Sequence, residues 1–350
     1  MTLGCDSSER TAVKGHFFFI ILHWYSRRDI IVPFFSGGDT MAFLLVPAGL
    51  ILVALGISYI CFRMAFYAPD RKAASPDTYP VPEGPEYAPY REQMVSWAKA
   101  LRAMPHEAVS IRSFDGLTLR GNYYEYAPGA PIELMMHGYR GDPERDLCGG
   151  VQRCFQLKRN VLLVSQRGCG DSDGNVITFG ILEHRDCLAW TQFLIDRFGN
   201  DAQIILTGIS MGAATVMMAA GTDLPPQVKG IIADCGYTSP KDIIQKVIRD
   251  MKLPPKLSYP FVKLGARVFG GFDLEETSPL EAMKKCRVPV FFIHGEADDF
   301  VPCEMSITNS NACAAPHKLF TVPGAGHGLS YLVDRDGYHR AIEELRFPQG

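Results

Sequence analysis

From residue 107 onward, the chain alternates short apolar segments with longer amphipathic ones, and this alternation constrains its fold most strongly. Strands that are joined by a helix of ten or more residues run parallel in one sheet. Asp115 and Gly116 form a hairpin signal, so the first two strands are expected to be antiparallel. The pattern predicts an α/β architecture with about eight strands in a mostly parallel sheet. We place these strands at residues 109–114, 117–126, 132–136, 161–165, 204–208, 228–233, 288–294 and 318–322.

The charge balance argues against binding to nucleic acid, and the spacing of the cysteines argues against a structural zinc site. The chain has 350 residues, with 35 Lys and Arg against 38 Asp and Glu. A net charge of −3 provides no strong basic field, so we expect no nucleic-acid partner. The ten cysteines are scattered without CxxC or CxxH spacing, which argues against a structural zinc site. We predict mostly free thiols in a reducing compartment.

Residues 42–62 contain no charged side chain and are long enough to cross a hydrocarbon core of about 30 Å as a helix. A buried core helix is disfavoured because the segment is apolar on every side. A cleaved signal peptide is the second alternative, but the apolar run is longer than a typical signal-peptide core. We therefore predict an N-terminal single-pass transmembrane anchor in the cell membrane.

Residues 1–40 are interpreted as a leader, with the hypothesis that translation starts at Met41. Residues 37–39, Gly-Gly-Asp, can be encoded by bases that contain a ribosome-binding sequence at a spacing suited to initiation. The alternative is an ordinary Gly-Gly-Asp turn. N-terminal mass spectrometry of the native protein distinguishes the two.

The predicted anchor is followed by a Pro-rich linker over residues 63–89 and a globular domain over residues 90–350. If the chain starts at Met41, its first basic residues all follow the anchor; they are Arg63, Arg71 and Lys72. Positive charge favours the cytoplasmic side of a membrane. The globular domain is therefore expected in the cytoplasm.

The sharpest local signal is the sequence GISMG at residues 208–212. It follows a predicted strand and opens a predicted helix, and its two glycines permit a tight turn that exposes the serine hydroxyl. The alternative is a chance match in a glycine-rich chain, which this strand–turn–helix context disfavours. We predict that Ser210 is a nucleophile.

Two further motifs supply the partners of this serine. HGEADDFVP follows the strand at 288–294, and a carboxylate there can fix the tautomer of a histidine; Asp298 is preferred and Asp299 is the alternative. GAGHG, at residues 324–328, carries His327 as the general base.

A fourth motif, HGYRG, follows the strand at 132–136. An oxyanion hole needs backbone N–H groups near the nucleophile, and Tyr139 and Met211 are the expected donors. His137 is interpreted as a structural residue that fixes this loop.

HGYRG, RGCGDS, GISMG, HGEADDFVP and GAGHG together resemble the motifs of the α/β-hydrolase fold superfamily. The anchor, the Pro-rich linker and ADCGYTS at residues 233–239 resemble bacterial membrane-anchored hydrolases of an esterase or acyl-peptidase-like group. The resemblance implies helices on both faces of the sheet and a short helical cap, which we place at residues 239–286. It also implies a Ser210, Asp298 and His327 triad, with no metal or other cofactor.

The implied reaction is the hydrolysis of carboxylic esters through an acyl-enzyme, as in serine esterases of class EC 3.1.1. The expected substrate is a small ester with an apolar acyl or alcohol part. An acyl-peptidase, an amidase or a thioesterase with the same triad remains open. A non-catalytic, membrane-tethered binding module is a further alternative, which the intact triad argues against.

Overall fold

A computed structural model describes residues 37–68, 78–79, 81–82 and 84–344. Its single sheet has eight strands in the order β1-β2-β4-β3-β5-β6-β7-β8. β2 is antiparallel to β1 and to β4, and the other neighbours are parallel. The strands are β1 Glu107–Arg112, β2 Thr118–Tyr124, β3 Ile132–Met136, β4 Asn160–Val164, β5 Ile204–Ile209, β6 Val228–Asp234, β7 Val290–Gly295 and β8 His317–Val322. The predicted fold class is confirmed.

The α-helices of the described residues lie between these strands and at both ends of the chain. They are α1 Gly37–Ala65, α2 Arg91–Ala103, α3 Pro143–Gln156, α4 Glu183–Phe198, α5 Met211–Ala220, α6 Pro240–Asp250, α7 Pro255–Gly265, α8 Pro279–Met283, α9 Cys303–Ala312, α10 Ser330–Val333 and α11 Arg335–Glu344.

Helices cover both faces of the sheet. Successive side chains of a strand point to opposite faces, so the central strands, which are buried along their whole length, need helices on each face. In β7, Phe292 packs in the same core as α4 and α5, whereas Phe291 packs with α11. In β3, Leu134 belongs to the first of these cores and Met135 packs with α2 and α3. The near-continuous apolar sequence of these strands follows from this two-sided burial.

The strand order reverses between β3 and β5. From β3 the chain moves outward to β4, and from β5 it moves to β6, β7 and β8 on the other side. In parallel sheets, ligands bind at the carboxyl ends of the strands near such a reversal. β5 ends at Ile209, so the next residue, Ser210, lies at this position.

The segment between β6 and β7, predicted as a cap, contains α6, α7, a π-helical turn over Ala266–Gly270, and α8. α6 begins where the Ser239 hydroxyl accepts a hydrogen bond from the Asp242 amide, at 3.0 Å. Ile243, Ile244 and Ile248 are buried on one side of α6. The apolar spacing of α6 thus orients it over a second core, which includes Met211 and Val301 at the strand ends.

The boundary between the two units of the chain falls within α1, between Val53 and Ala54. Within α1, Leu45–Ala65 is long and apolar enough to cross a membrane. α1 begins before Met41, the hypothetical start residue. The rest of the predicted leader, residues 1–36, lies outside the described residues, as do residues 69–77, 80 and 83 of the predicted linker.

The first residues of the predicted linker are packed rather than extended. Phe66 and Ala68 are buried, and the Phe66 ring makes an edge contact with Phe272 at 5.2 Å between centroids. The backbone of this segment also pairs with residues 175–177: the Ile177 amide donates to the Phe66 carbonyl at 2.8 Å. Aromatic burial and backbone hydrogen bonds therefore hold residues 66–68 to the rest of the globular unit. These residues lie directly before the first proline of the predicted linker.

Candidate active site

Ser210 occupies a sharp turn between β5 and α5, with a φ of 56°. The turn requires the glycines on either side. A Cβ on Gly212 would lie 2.0 Å from the Met136 carbonyl oxygen, and one on Gly208 would lie 2.1 Å from the Gly212 carbonyl oxygen. The strand, the turn and the helix can approach this closely only without those side chains, which explains the spacing of the GISMG motif.

Ser210, His327 and Asp298 form one hydrogen-bonded chain. Ser210 Oγ lies 3.0 Å from His327 Nε2, and His327 Nδ1 lies 2.7 Å from Asp298 Oδ2. These residues come from the loops after β5, β8 and β7, so the fold brings together the three predicted positions. Asp299, the alternative carboxylate, is exposed, and its carbonyl accepts a hydrogen bond from Lys246.

Asp298 is held as a carboxylate at the buried end of this chain. Burial raises its pKa, but hydrogen bonds from His294 and His327 and from the loop backbone outweigh burial and lower the pKa well below its usual range. Asp298 Oδ1 accepts from the amides of Phe300 at 2.9 Å and Val301 at 2.8 Å. A permanently ionised Asp298 can fix His327 with its proton on Nδ1, which leaves Nε2 free to accept.

His294 supports Asp298, and its role was missed in the sequence. Its Nε2 lies 3.2 Å from Asp298 Oδ2 and 2.8 Å from the Val301 carbonyl oxygen, and both of these atoms accept. Nε2 is therefore the protonated nitrogen, and Nδ1 accepts from the Ser306 hydroxyl at 2.6 Å. His294 is the first residue of the HGEADDFVP motif, so the residue itself was visible in the sequence. The sequence does not indicate that its ring points toward Asp298.

The predicted oxyanion donors flank Ser210. Met211 is the first residue of α5, where amide groups point out of the helix end. The loop that carries Tyr139 approaches so closely that a Cβ on Gly138 would lie 3.6 Å from Ser210 Cβ. Asp146, which the sequence interpretation missed, fixes this loop, because its Oδ2 accepts from the Gly138 amide at 2.9 Å.

Two cavities meet at Ser210. The larger has a volume of about 330 Å³ and is lined mostly by apolar side chains of the cap and of the end of α1, together with Tyr139 and Phe179. The smaller has a volume of about 180 Å³ and includes Arg145 and Asp146. A molecule that reacts at Ser210 thus meets an apolar space on one side and a more polar one on the other.

Comparisons with known proteins agree with this geometry. The family model described as the alpha/beta hydrolase fold matches residues 134–278. Together with the eight-stranded sheet, this match shows that the chain has the α/β hydrolase fold. YqkD, an uncharacterized protein of Bacillus subtilis, is 27% identical over 192 residues, which are 55% of this chain and 63% of YqkD.

Two solved structures share the α/β hydrolase fold of this chain. The esterase Pf2001 of Pyrococcus furiosus aligns with a TM-score of 0.57 at 19% identity, over 79% of this chain and 97% of Pf2001. Est1E of Butyrivibrio proteoclasticus, with ferulic acid bound, aligns with a TM-score of 0.53 at 22% identity, over 67% of this chain and 96% of Est1E. At these identities the likeness concerns the fold.

In this α/β hydrolase, His137 has the structural role that was predicted. It is buried, its Nδ1 donates to the Gly138 carbonyl at 2.8 Å, and its Nε2 accepts from the Gln166 amide at 3.0 Å. Burial lowers its pKa, so the ring stays neutral and bridges the loops after β3 and β4.

Beneath the turn at Ser210 lie Asp234 and Cys235, which the motif analysis did not assign to the site. The Ser210 amide donates to the Asp234 carbonyl at 2.8 Å, and burial raises the pKa of the Asp234 carboxyl to about 6. The Cys235 sulfur, an Asp298 oxygen and a His327 nitrogen lie within 4.8 Å of one another. They suit a metal poorly, because Asp298 and His327 already bond to each other and burial raises the pKa of the Cys235 thiol.

Proposed function

We propose that this α/β hydrolase is a serine esterase that cleaves carboxylic esters through a covalent acyl-enzyme. The observation that carries the proposal is the continuous chain from Ser210 Oγ through His327 to Asp298, with contacts of 3.0 and 2.7 Å. These three residues lie at the carboxyl ends of the parallel strands, and Ser210 borders an apolar cavity of about 330 Å³.

The proposed reaction begins when Ser210 Oγ attacks the ester carbonyl carbon while His327 Nε2 takes the hydroxyl proton. The negative charge on the carbonyl oxygen is stabilised by the amides of Tyr139 and Met211. The tetrahedral intermediate then expels the alcohol, which receives the proton from His327. Asp298 stabilises the imidazolium in both steps.

Deacylation repeats these steps with water. His327 removes a proton from the attacking water, and the second tetrahedral intermediate releases the carboxylic acid and restores the Ser210 hydroxyl. The esterases Pf2001 and Est1E, which share this fold, support an ester as the substrate. We assign the apolar cavity to the acyl chain, because most of its lining offers no hydrogen-bond partner, and the smaller cavity to the alcohol part.

Turnover of p-nitrophenyl butyrate by the purified full chain tests this function. Ser210→Ala is expected to lower kcat by about a millionfold, as the loss of a triad nucleophile does. Ser110→Ala is the matched control, because Ser110 is exposed on the edge strand β1. Activity of Ser210→Ala within tenfold of the wild type would contradict the proposal.

We further propose that Leu45–Ala65 crosses the cell membrane once and that the hydrolase domain faces the cytoplasm. Thiols that form no disulfide support a reducing compartment; within the described part of the chain they include the buried Cys148, Cys154, Cys187 and Cys235. Protease that is added to intact cells is expected to spare the hydrolase domain. If the protease removed the hydrolase domain from intact cells, the domain would lie outside the cell.

A further inference from the structure

The apolar cavity has a wall that belongs to α1. Cys61, Met64 and Ala65, in the last two turns of that helix, face the space that begins at Ser210. Another part of the wall comes from α6 of the cap, with Ile244 and Val247 among its residues. The helix that is proposed to cross the membrane therefore helps to build the substrate site.

The end of α1 is packed tightly on the cap. A Cβ on Gly265, at the end of α7, would lie 2.4 Å from the Ser58 carbonyl oxygen, so the two backbones are nearly in contact. The Tyr59 ring lies 5.2 Å from the Phe269 ring, and the Phe62 ring lies 6.1 Å from it. The last two turns of α1 thus have a fixed position relative to the cavity.

Charged and aromatic side chains gather at the end of α1. The Arg63 guanidinium lies 3.8 Å from the centre of the Tyr67 ring. Arg140 donates to the carbonyls of Met64 at 2.8 Å and Tyr67 at 2.9 Å. Arginine and tyrosine at the end of an apolar helix are typical of the boundary between a bilayer and water. This places the bilayer boundary at the level of the cavity.

The outer side of the cap exposes large apolar side chains, which we call the cap surface. It comprises Met251, Leu253, Leu257, Leu264, Val268 and Phe269. The Leu257 side chain is 69% exposed and the Val268 side chain is 51% exposed. Such a surface beside an apolar helix fits the acyl region of a bilayer better than it fits water.

The cavity opens onto the cap surface. Met251 and Leu253 line the cavity and are also about half exposed, as is Met64 at the end of α1. The mouth thus lies where the cap surface meets α1. An acyl chain at this mouth would leave an apolar environment and enter another one, without crossing water.

We propose that the cap surface docks on the bilayer that α1 crosses, and that the cavity takes the acyl chain of a membrane-resident ester directly from it. This inference rests on the proposed esterase function and names its substrate class: a long-chain carboxylic ester that resides in the membrane. A volume of about 330 Å³ lies at the low end of ligand cavities, which run from about 300 to 1,000 Å³, and suits a single chain. The head group then lies beside Arg145 and Asp146 in the smaller cavity.

The test uses the full chain, reconstituted into vesicles of phosphatidylcholine and phosphatidylglycerol. Hydrolysis is measured for p-nitrophenyl palmitate, which dissolves in the bilayer, and for p-nitrophenyl butyrate in the surrounding water, with Ser210→Ala as the blank. Leu257→Glu places a charge on the cap surface outside the cavity. Ile307→Glu is the matched control, because Ile307 is exposed on α9, which packs against β7 and β8.

The wild type is expected to prefer palmitate over butyrate. Leu257→Glu is expected to lower this ratio about tenfold or more, which is the factor that corresponds to the burial of one leucine side chain. Ile307→Glu is expected to leave the ratio unchanged. Val247→Trp, which fills the cavity, is expected to lower the ratio without any change at the cap surface.

The outcomes separate this inference from the proposed function. If the wild type hydrolyses neither ester, both fail. If it hydrolyses butyrate but shows no preference for palmitate, or if Leu257→Glu and Ile307→Glu behave alike, only the inference fails. If Leu257→Glu changes the molecular mass in detergent but not the ratio, the cap surface binds a second copy of the chain and the inference is overturned.

Discussion

Asp298→Asn separates the charge of the triad carboxylate from its shape. The asparagine carbonyl can still accept from the Phe300 and Val301 amides, so the loop after β7 is expected to keep its conformation. The amide NH₂ then faces His327 Nδ1, where the wild type has a carboxylate oxygen at 2.7 Å. The ring must accept at Nδ1, which leaves the proton on Nε2, where it blocks proton transfer from Ser210.

The expected loss follows from two contributions. An imidazolium and a carboxylate separated by about 4 Å attract by about 4 kcal/mol at an effective dielectric constant of about 20, which corresponds to about a thousandfold in rate. The wrong histidine tautomer adds to this loss, because only a small population carries the proton on Nδ1. Together they predict a fall in kcat of about ten-thousandfold, with little change in KM.

The assay is steady-state hydrolysis of p-nitrophenyl butyrate, with circular dichroism to verify the fold. Asp299→Asn is the control: this neighbour has the same side chain but is exposed, and its kcat is expected to stay within about twofold of the wild type. If Asp298→Asn kept a tenth of the wild-type kcat, or if Asp299→Asn were the damaging change, the assignment of the acid would be wrong.

Three stability predictions follow from buried groups. Gly212→Ala is expected to prevent folding or to lower Tm sharply, because its Cβ would lie 2.0 Å from the Met136 carbonyl oxygen. Glu133→Gln leaves two arginines without their buried carboxylate and is expected to cost about 3–5 kcal/mol in urea unfolding. Because burial raises the Asp234 pKa from 3.8 to about 6, the contribution of this carboxyl to wild-type stability should fall by about 3 kcal/mol as pH rises through this range, and Asp234→Asn should remove this loss. Equal pH profiles for Asp234→Asn and the wild type would contradict the last prediction.

The features that the sequence predicted well are those written in consecutive residues. Runs such as residues 132–136 and 204–208 predicted the parallel strands, because burial on both faces demands an uninterrupted apolar sequence. The glycines around Ser210 predicted the turn, since strand, turn and helix can meet there only without side chains. These constraints act within a few residues and are visible without any knowledge of the rest of the chain.

The features that the sequence did not predict depend on the path of the folded chain rather than on a local pattern. His294 and Asp146 contact Asp298 and Gly138, which lie only four and eight residues away, but no sequence pattern indicates that the folded loops turn these side chains toward them. Phe66 was assigned to the Pro-rich linker, because no local pattern indicates that Phe272 of the cap would bury it. The same reason explains why residues of a predicted membrane anchor were not expected to line the cavity beside the nucleophile.

Covalent labelling at Ser210 tests the central claim most directly. A fluorophosphonate reacts with a serine only when a base removes its proton and an oxyanion hole stabilises the developing charge. The full chain is expected to gain one label, which peptide mapping places on Ser210, and Ser210→Ala is expected to gain none. A wild-type protein that stays unlabelled, or a label on another residue, would contradict the account.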